Sequence, residues 1–309
     1  MRFAAACAAL LSIPLAAYAA VIPHKRATVC NGHAELCNRS YGNTTFAGSH
    51  DSYAFSENPF ARTGKRPGVD ITTQLNSGIR MLQAQSHMNN GQLHFCHTSC
   101  TLFDGGTVEA YLATVKSWLD ANPNDVVTFL FTNPEGVSLP DVWAPAFEQS
   151  GIAPLAYVPP HVPMARGEWP TLGALIDSGK RVVVFMDAGA DGADGNVNYI
   201  LPEFEMIWEP PFDSTDNTFP CSVDRSAGPL STADHMYLLN HFLDVNILDT
   251  GILVSDPAAA STTNGVTSVL ANAAGCRPLS GGGFNPSFVL MDYVNLGNGV
   301  AAADQMNGF

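Results

Sequence analysis

TVEAYLATVKSWLDANPNDVVTFLFT, residues 107–132, carries the unit from which the fold is read. Val108, Tyr111, Leu112, Val115, Trp118 and Leu119 recur at intervals of three and four, which puts them on one face of a helix, and Thr107 stands where an N-cap belongs. Asn122-Pro123 ends that helix, because proline has no amide proton to continue the ladder. Residues 126–132 then form a short apolar run closing on a polar residue, the pattern of a strand covered on both faces. A helix feeding a buried strand is the repeat of an α/β domain with parallel strands.

The same reading extends outward. Strands are predicted at 44–48, 79–85, Gln92–Cys96, 126–132, 181–186, Met236–Asn240 and Phe288–Met291, and a shorter helix at 172–178 feeds the strand at 181. Seven strand candidates over this length predict a (β/α) barrel of the TIM type, regular or irregular, as a single domain spanning 27–309. A doubly wound sheet is the alternative, but no G-x-G-x-x-G follows the first strand, and Gly281-Gly282-Gly283 comes late and reads as loop. Catalytic groups of a barrel belong where the strands run out at their C-terminal ends.

Met1-Arg2-Phe3, an apolar stretch over 4–15 and small residues over 16–20 read as a signal peptide of residues 1–20. Lys25-Arg26 would be a dibasic site ending a pro-segment at 21–26. The early apolar run is too short to span a bilayer, and no later segment offers the roughly 18 apolar residues that spanning needs. The expected product is a secreted, extracellular monomer. The formal charge is −14, and loss of Arg2, Lys25 and Arg26 makes it three units more negative. Such a chain lacks the basic stripe that nucleic acids or strongly anionic membranes require, so nucleic acid is excluded and membrane contact is at most transient.

Cys7 leaves with the leader, and six cysteines remain in an oxidising compartment. Fifteen pairings are formally open. Local spacing favours Cys30 with Cys37 and Cys96 with Cys100, leaving Cys221 for Cys276, and no paired C-x-x-C supports zinc instead. Asn38-Arg39-Ser40 and Asn43-Thr44-Thr45 are glycosylation sequons, whereas proline disqualifies Asn285-Pro286-Ser287.

Two histidine segments carry the chemistry, Gly48-Ser49-His50-Asp51-Ser52-Tyr53 and Leu93-His94-Phe95-Cys96-His97-Thr98-Ser99-Cys100. Imidazoles titrate near neutrality, so one can accept a proton while the other donates one. Taken alone, His50-Asp51 reads as a surface turn and His97 as a core residue. Together with 73–80, 118–123, 240–244 and 288–295, however, these segments resemble the phosphatidylinositol-specific phospholipase C X-domain superfamily, and more closely its secreted fungal phospholipase-C-like phosphodiesterases. The resemblance covers nearly all of the mature chain. It implies a barrel phosphodiesterase in which His50 is the general base oriented by Asp292, and His97 the general acid supported by Asp51. The substrate it implies is a phospholipid or glycerophosphodiester.

One departure stands out. Metal-dependent relatives carry E-x-D, and metal-independent bacterial relatives D-x-R, where this chain has Gln83-Ala84-Gln85. Neutral amides are poor ligands for a hard dication and bring no positive charge to a phosphorane. No cofactor or metal is therefore assigned, a calcium or magnesium ion being unsupported by the Gln83/Gln85 pair. Candidate substrate contacts are Gln83, Gln85, Asp187 and His241, the last expected at the barrel mouth, with a structural hydrogen bond as its equal alternative. His87 is a candidate cation, Arg80 a structural ion pair, and the Asp191/Asp194 loop lacks the glutamate of a calcium loop. The aromatic segment 207–212 is read as loop packing, with lipid contact as the alternative. Two rival functions remain: a catalytically silent barrel binding a phosphate-bearing ligand, and a glycoside hydrolase using Asp187 and Asp292.

Overall fold

A computed structural model describes residues 26–56, 69–192 and 195–309. The expected leader and nearly all of the pro-segment lie outside the described residues, as does Asp194. Eight parallel strands form the staves: β1 (Phe46–Ser49), β2 (Met81–Asn89), β3 (Val127–Thr132), β4 (Val182–Met186), β5 (Ile200–Pro202), β6 (Ile207–Trp208), β7 (Met236–Asn240) and β8 (Phe288–Met291). Their hydrogen-bonded order is β5-β4-β3-β2-β1-β8-β7-β6, which is the order of a (β/α)₈ barrel with one seam unladdered, between β5 and β6. Residues 203–206 bridge that seam, and the Ile207 N–H donates to the Glu203 carbonyl at 2.8 Å.

The decisive stretch folds as read. Val108–Ala121 is a helix capped by the Thr107 hydroxyl, which accepts from the Ala110 N–H, and its apolar face packs on the outward side chains of β3, Phe129 and Phe131. The inward side chains form a second cluster, to which every stave contributes: Phe46, Met81, Leu130, Phe185, Leu201, Ile207, Leu238 and Leu290 among them. Tyr41, Trp169 and Leu172 close the N-terminal end of the barrel, where the Tyr41 hydroxyl hydrogen-bonds Thr128 at 2.6 Å. Desolvation there pushes the tyrosine hydroxyl far above its usual range.

Two readings of the strands need correction. Gln92–Cys96 is not a stave: it pairs antiparallel with the overhanging end of β2, Ser86–Asn89, and continues the ribbon to Asp104–Thr107. The staves β5 and β6 were missing from the prediction, because strands of three and two residues show no measurable alternation. All three disulfides, Cys30–Cys37, Cys96–Cys100 and Cys221–Cys276, pair as spacing indicated. Arg80 makes its ion pair with Asp125 at 2.7 Å and lies over the Trp118 ring.

Candidate active site

Along each stave the inward series changes from apolar at depth to polar at the mouth, because side chains two residues apart share a face. On β2 Met81 is followed by Gln83 and Gln85, on β4 Phe185 by Asp187, on β7 Leu238 by Asn240, and on β8 Leu290 by Asp292. The same step takes Leu201 to Glu203 and Ile207 to Glu209. The polar groups meet in a cavity of about 380 Å³ whose walls include His50, Asp51, Gln83, Gln85, His97, Asp187, Glu203, Glu209, Arg225 and Asn240.

His50 sits one residue beyond β1, with its ring stacked on Phe242 at 4.1 Å between centroids. Its Nδ1 lies 2.9 Å from Asp292 Oδ1. An N–H at Nδ1 donating to that carboxylate leaves the basic lone pair on Nε2, the tautomer a general base needs. Asp51 Oδ2 stands between the two imidazoles, 3.9 Å from His50 Nε2 and 3.7 Å from His97 Nε2. Asp51 and Asp292 are 3% and 5% exposed at the side chain, against 13% and 19% for His50 and His97. The carboxylates are thus the inner layer and the imidazoles the working surface. Asp51, Thr98 and Tyr293 all have positive φ, of 42°, 59° and 48°, so each of the three chain segments kinks immediately after a site residue.

His97 is carried by a short loop closed by the Cys96–Cys100 disulfide. That loop is tied to β2 by the Gln85 Oε1, which accepts from the Thr98 N–H at 2.7 Å. Gln83 does the same for the other histidine's loop, its Oε1 accepting from the Asp51 N–H at 2.7 Å. Both amide oxygens are therefore spent on positioning. They do not fit the role of carboxylate ligands to a dication, and among the described residues there is no group of three or more His, Cys, Asp or Glu arranged to hold a metal.

The family model for PI-PLC X, "PI-PLC X 1", matches residues 36–307. This chain belongs to the PI-PLC X family. An uncharacterized secreted protein of Arthroderma benhamiae is 44% identical over 87% of the chain, which spans 61% of that protein's length. A PI-PLC X domain-containing protein 1 of the same fungus is 40% identical, covering 93% of this chain and 92% of its own. Among solved structures, the phosphatidylinositol-specific phospholipase C of Staphylococcus aureus superposes with a TM-score of 0.58 at 14% identity, over 87% of this chain and 94% of that one. That of Listeria monocytogenes gives 0.51 at 13% identity, over 88% and 95%. At such identity the likeness is one of fold. No helix among the described residues of this PI-PLC X chain is long and apolar enough to cross a membrane.

The structure brings together seven of the eight residues singled out from the sequence: His50, His97, Asp51, Asp292, Gln83, Gln85 and Asp187. His241 is a correction. It follows Asn240, so its side chain points away from the barrel interior, fully buried, with Nδ1 on Asn272 Oδ1 at 3.0 Å and Nε2 on the Thr263 carbonyl at 2.8 Å. Burial lowers its pKa, and it is absent from the cavity wall. His87 likewise turns outward to Glu135, at 2.9 Å. Segment 207–212 divides: Trp208 is buried, whereas Phe212 is 47% exposed at the cavity rim.

Sequence reasoning missed Glu203, Glu209 and Arg225. Glu209 Oε2 accepts from Arg225 in a close ion pair and from Asn240 Nδ2 at 3.1 Å. The Arg225 guanidinium is held between Phe212 and Phe204, 4.5 and 5.2 Å from their centroids. Glu203 is 3% exposed, and desolvation together with the neighbouring Glu209 holds its carboxyl well above the usual range. Asp187 is also raised, chiefly by burial. The available signal was the period-2 step from Leu201 and Ile207 to a glutamate, which becomes visible only once those short staves are known.

Proposed function

We propose that this cavity is the active site of a secreted phosphodiesterase of the phospholipase C type, with His50 as general base and His97 as general acid. The observation that carries it is the pair of imidazoles flanking Asp51 in one cavity, one of them already oriented by Asp292. In the reaction, an attacking hydroxyl, from the substrate or from water, gives its proton to His50 Nε2 as its oxygen bonds to phosphorus. The bond from phosphorus to the leaving alcohol breaks, and His97 supplies that alcohol's proton. Asp292 and Asp51 stabilise the imidazolium forms that appear along the way.

The family and the fold favour a lipid or glycerophosphodiester substrate, and the S. aureus enzyme's reported membrane binding favours contact with a lipid surface. Secretion is supported by the relative described as a secreted protein. A glycosidase reading loses its basis, because it required the histidines to lie away from Asp187 and Asp292.

The test is hydrolysis of a panel of phosphodiesters by wild type, His50→Ala and His97→Ala, each with calcium, magnesium or chelator. Losses of about 10²-fold or more in both variants are expected. A folded wild type without turnover, whose ligand binding ignores both substitutions, would overturn the proposal in favour of a phosphate-binding barrel.

A further inference from the structure

The wall of the cavity formed by β4, β5 and β6 carries three carboxyls, Asp187, Glu203 and Glu209, beside a single guanidinium, that of Arg225. Glu209 is matched by Arg225. Asp187 and Glu203 have no ion pair among the described residues; Asp187 takes backbone bonds from Asn133, at 2.7 Å, and from Ala188. Glu203 lines the cavity beside Glu209, the two carboxyls close enough to share a proton, and its Oε1 is buried with no N–H or hydroxyl donor. A buried carboxyl oxygen without a donor is costly, and a site arranged this way gains from a ligand that brings both N–H donors and positive charge.

From this arrangement we infer that the cavity accepts a phosphodiester whose headgroup bears a primary ammonium, seated against Glu203 and Asp187. The inference rests on the phosphodiesterase reading and names its substrate class. A neutral polyol would supply donors but bring no cation to Asp187 and Glu203. A quaternary ammonium brings charge but no donor for Glu203 Oε1, and the two nearby rings are already engaged, Phe242 by His50 and Phe212 by Arg225. The primary ammonium satisfies both requirements. Its arrival also favours the ionised form of Glu203, so binding expels a proton from that carboxyl to the buffer.

Titration calorimetry of the wild-type protein with phosphoethanolamine, phosphocholine and inositol phosphate tests this without turnover, since all three are monoesters. Run in two buffers of different ionisation enthalpy, it also counts protons, with inositol phosphate as control for those from the phosphate itself. Phosphoethanolamine should bind about tenfold more tightly than either rival and release more protons than inositol phosphate does. Glu203→Gln should abolish the extra release and collapse the preference, and Asp187→Asn, made in case the first variant does not fold, should collapse the preference alone. Inositol phosphate or phosphocholine binding as tightly as phosphoethanolamine, or a preference surviving in both folded variants, overturns the headgroup assignment while leaving the phosphodiesterase reading intact. No binding of any of the three, together with no hydrolysis of any diester, overturns both.

Discussion

Replacing Asp292 by asparagine isolates the charge behind the base. The amide is the same shape and its oxygen can still accept from His50 Nδ1, now at 2.9 Å from the carboxylate. What disappears is a unit negative charge beside the imidazolium that forms when His50 takes the proton. Two such charges about 4 Å apart at an effective dielectric near 20 interact by about 4 kcal/mol. His50 retains 13% exposure, so solvent screening trims this to about 3 kcal/mol, or roughly 10²-fold in rate. The loss should fall on kcat with KM little changed, because the carboxylate faces the base and not the ligand. Without the carboxylate, His50 holds its proton less firmly, so the acidic limb of the kcat profile should move to lower pH. Steady-state kinetics on a soluble phosphodiester across pH 4–9, with thermal unfolding to confirm the fold, measures both. An Asp292→Asn enzyme within threefold of wild-type kcat and with an unmoved acidic limb would refute the assignment of His50 as a base supported by Asp292.

Other outcomes follow from the same geometry. Gln85→Ala should lower kcat more than it raises KM, since it frees the Thr98 N–H that positions the His97 loop, and a calorimetric melt should show a stability loss of only about 1 kcal/mol. Replacing Cys221 and Cys276 by serine, which opens a loop of 55 residues' separation, should cost about 4 kcal/mol in urea unfolding, against about 2 kcal/mol for Cys96–Cys100 with its separation of 4. Glu203 has a folded pKa raised above the unfolded value of 4.5, so the folded state binds the extra proton and stability falls as pH rises through that window; urea midpoints of Glu203→Gln should lack this alkaline decline. His241 has a folded pKa below its unfolded 6.5, so its contribution is lost as pH falls below that value; His241→Gln should destabilise by about 1–3 kcal/mol near neutrality while leaving kcat within a few-fold.

The long staves, the capped helix at Val108–Ala121, the three disulfides and the two histidine segments were legible because each carries a local signal. Alternation or apolar continuity over four or more residues marks a strand, three- and four-residue spacing marks a helix, and cysteines close in sequence are close in space. The roles of Gln83 and Gln85 were not legible. As residue types they are neutral amides where charges were expected, and only the folded chain shows that each oxygen secures the loop carrying a histidine. His241 was misplaced because one residue's shift along a stave reverses the face, and the segment alone does not say whether Asn240 or His241 points inward.

Sequence by itself thus determined the barrel, its covalent staples and the two histidine segments that the fold brings into one cavity, through patterns that neighbouring residues impose on one another. Tertiary structure alone decided the far wall of the cavity. Glu203, Glu209 and Arg225 stand within 23 positions of one another, yet the two glutamates lie just past the ends of two different staves and the arginine on a later segment, and their meeting with His50 and His97 depends on the closure of eight strands around one axis. Two- and three-residue strands leave no periodicity to read, and a carboxyl's protonation state is set by the charges and the dryness around it, which exist only once the barrel has formed.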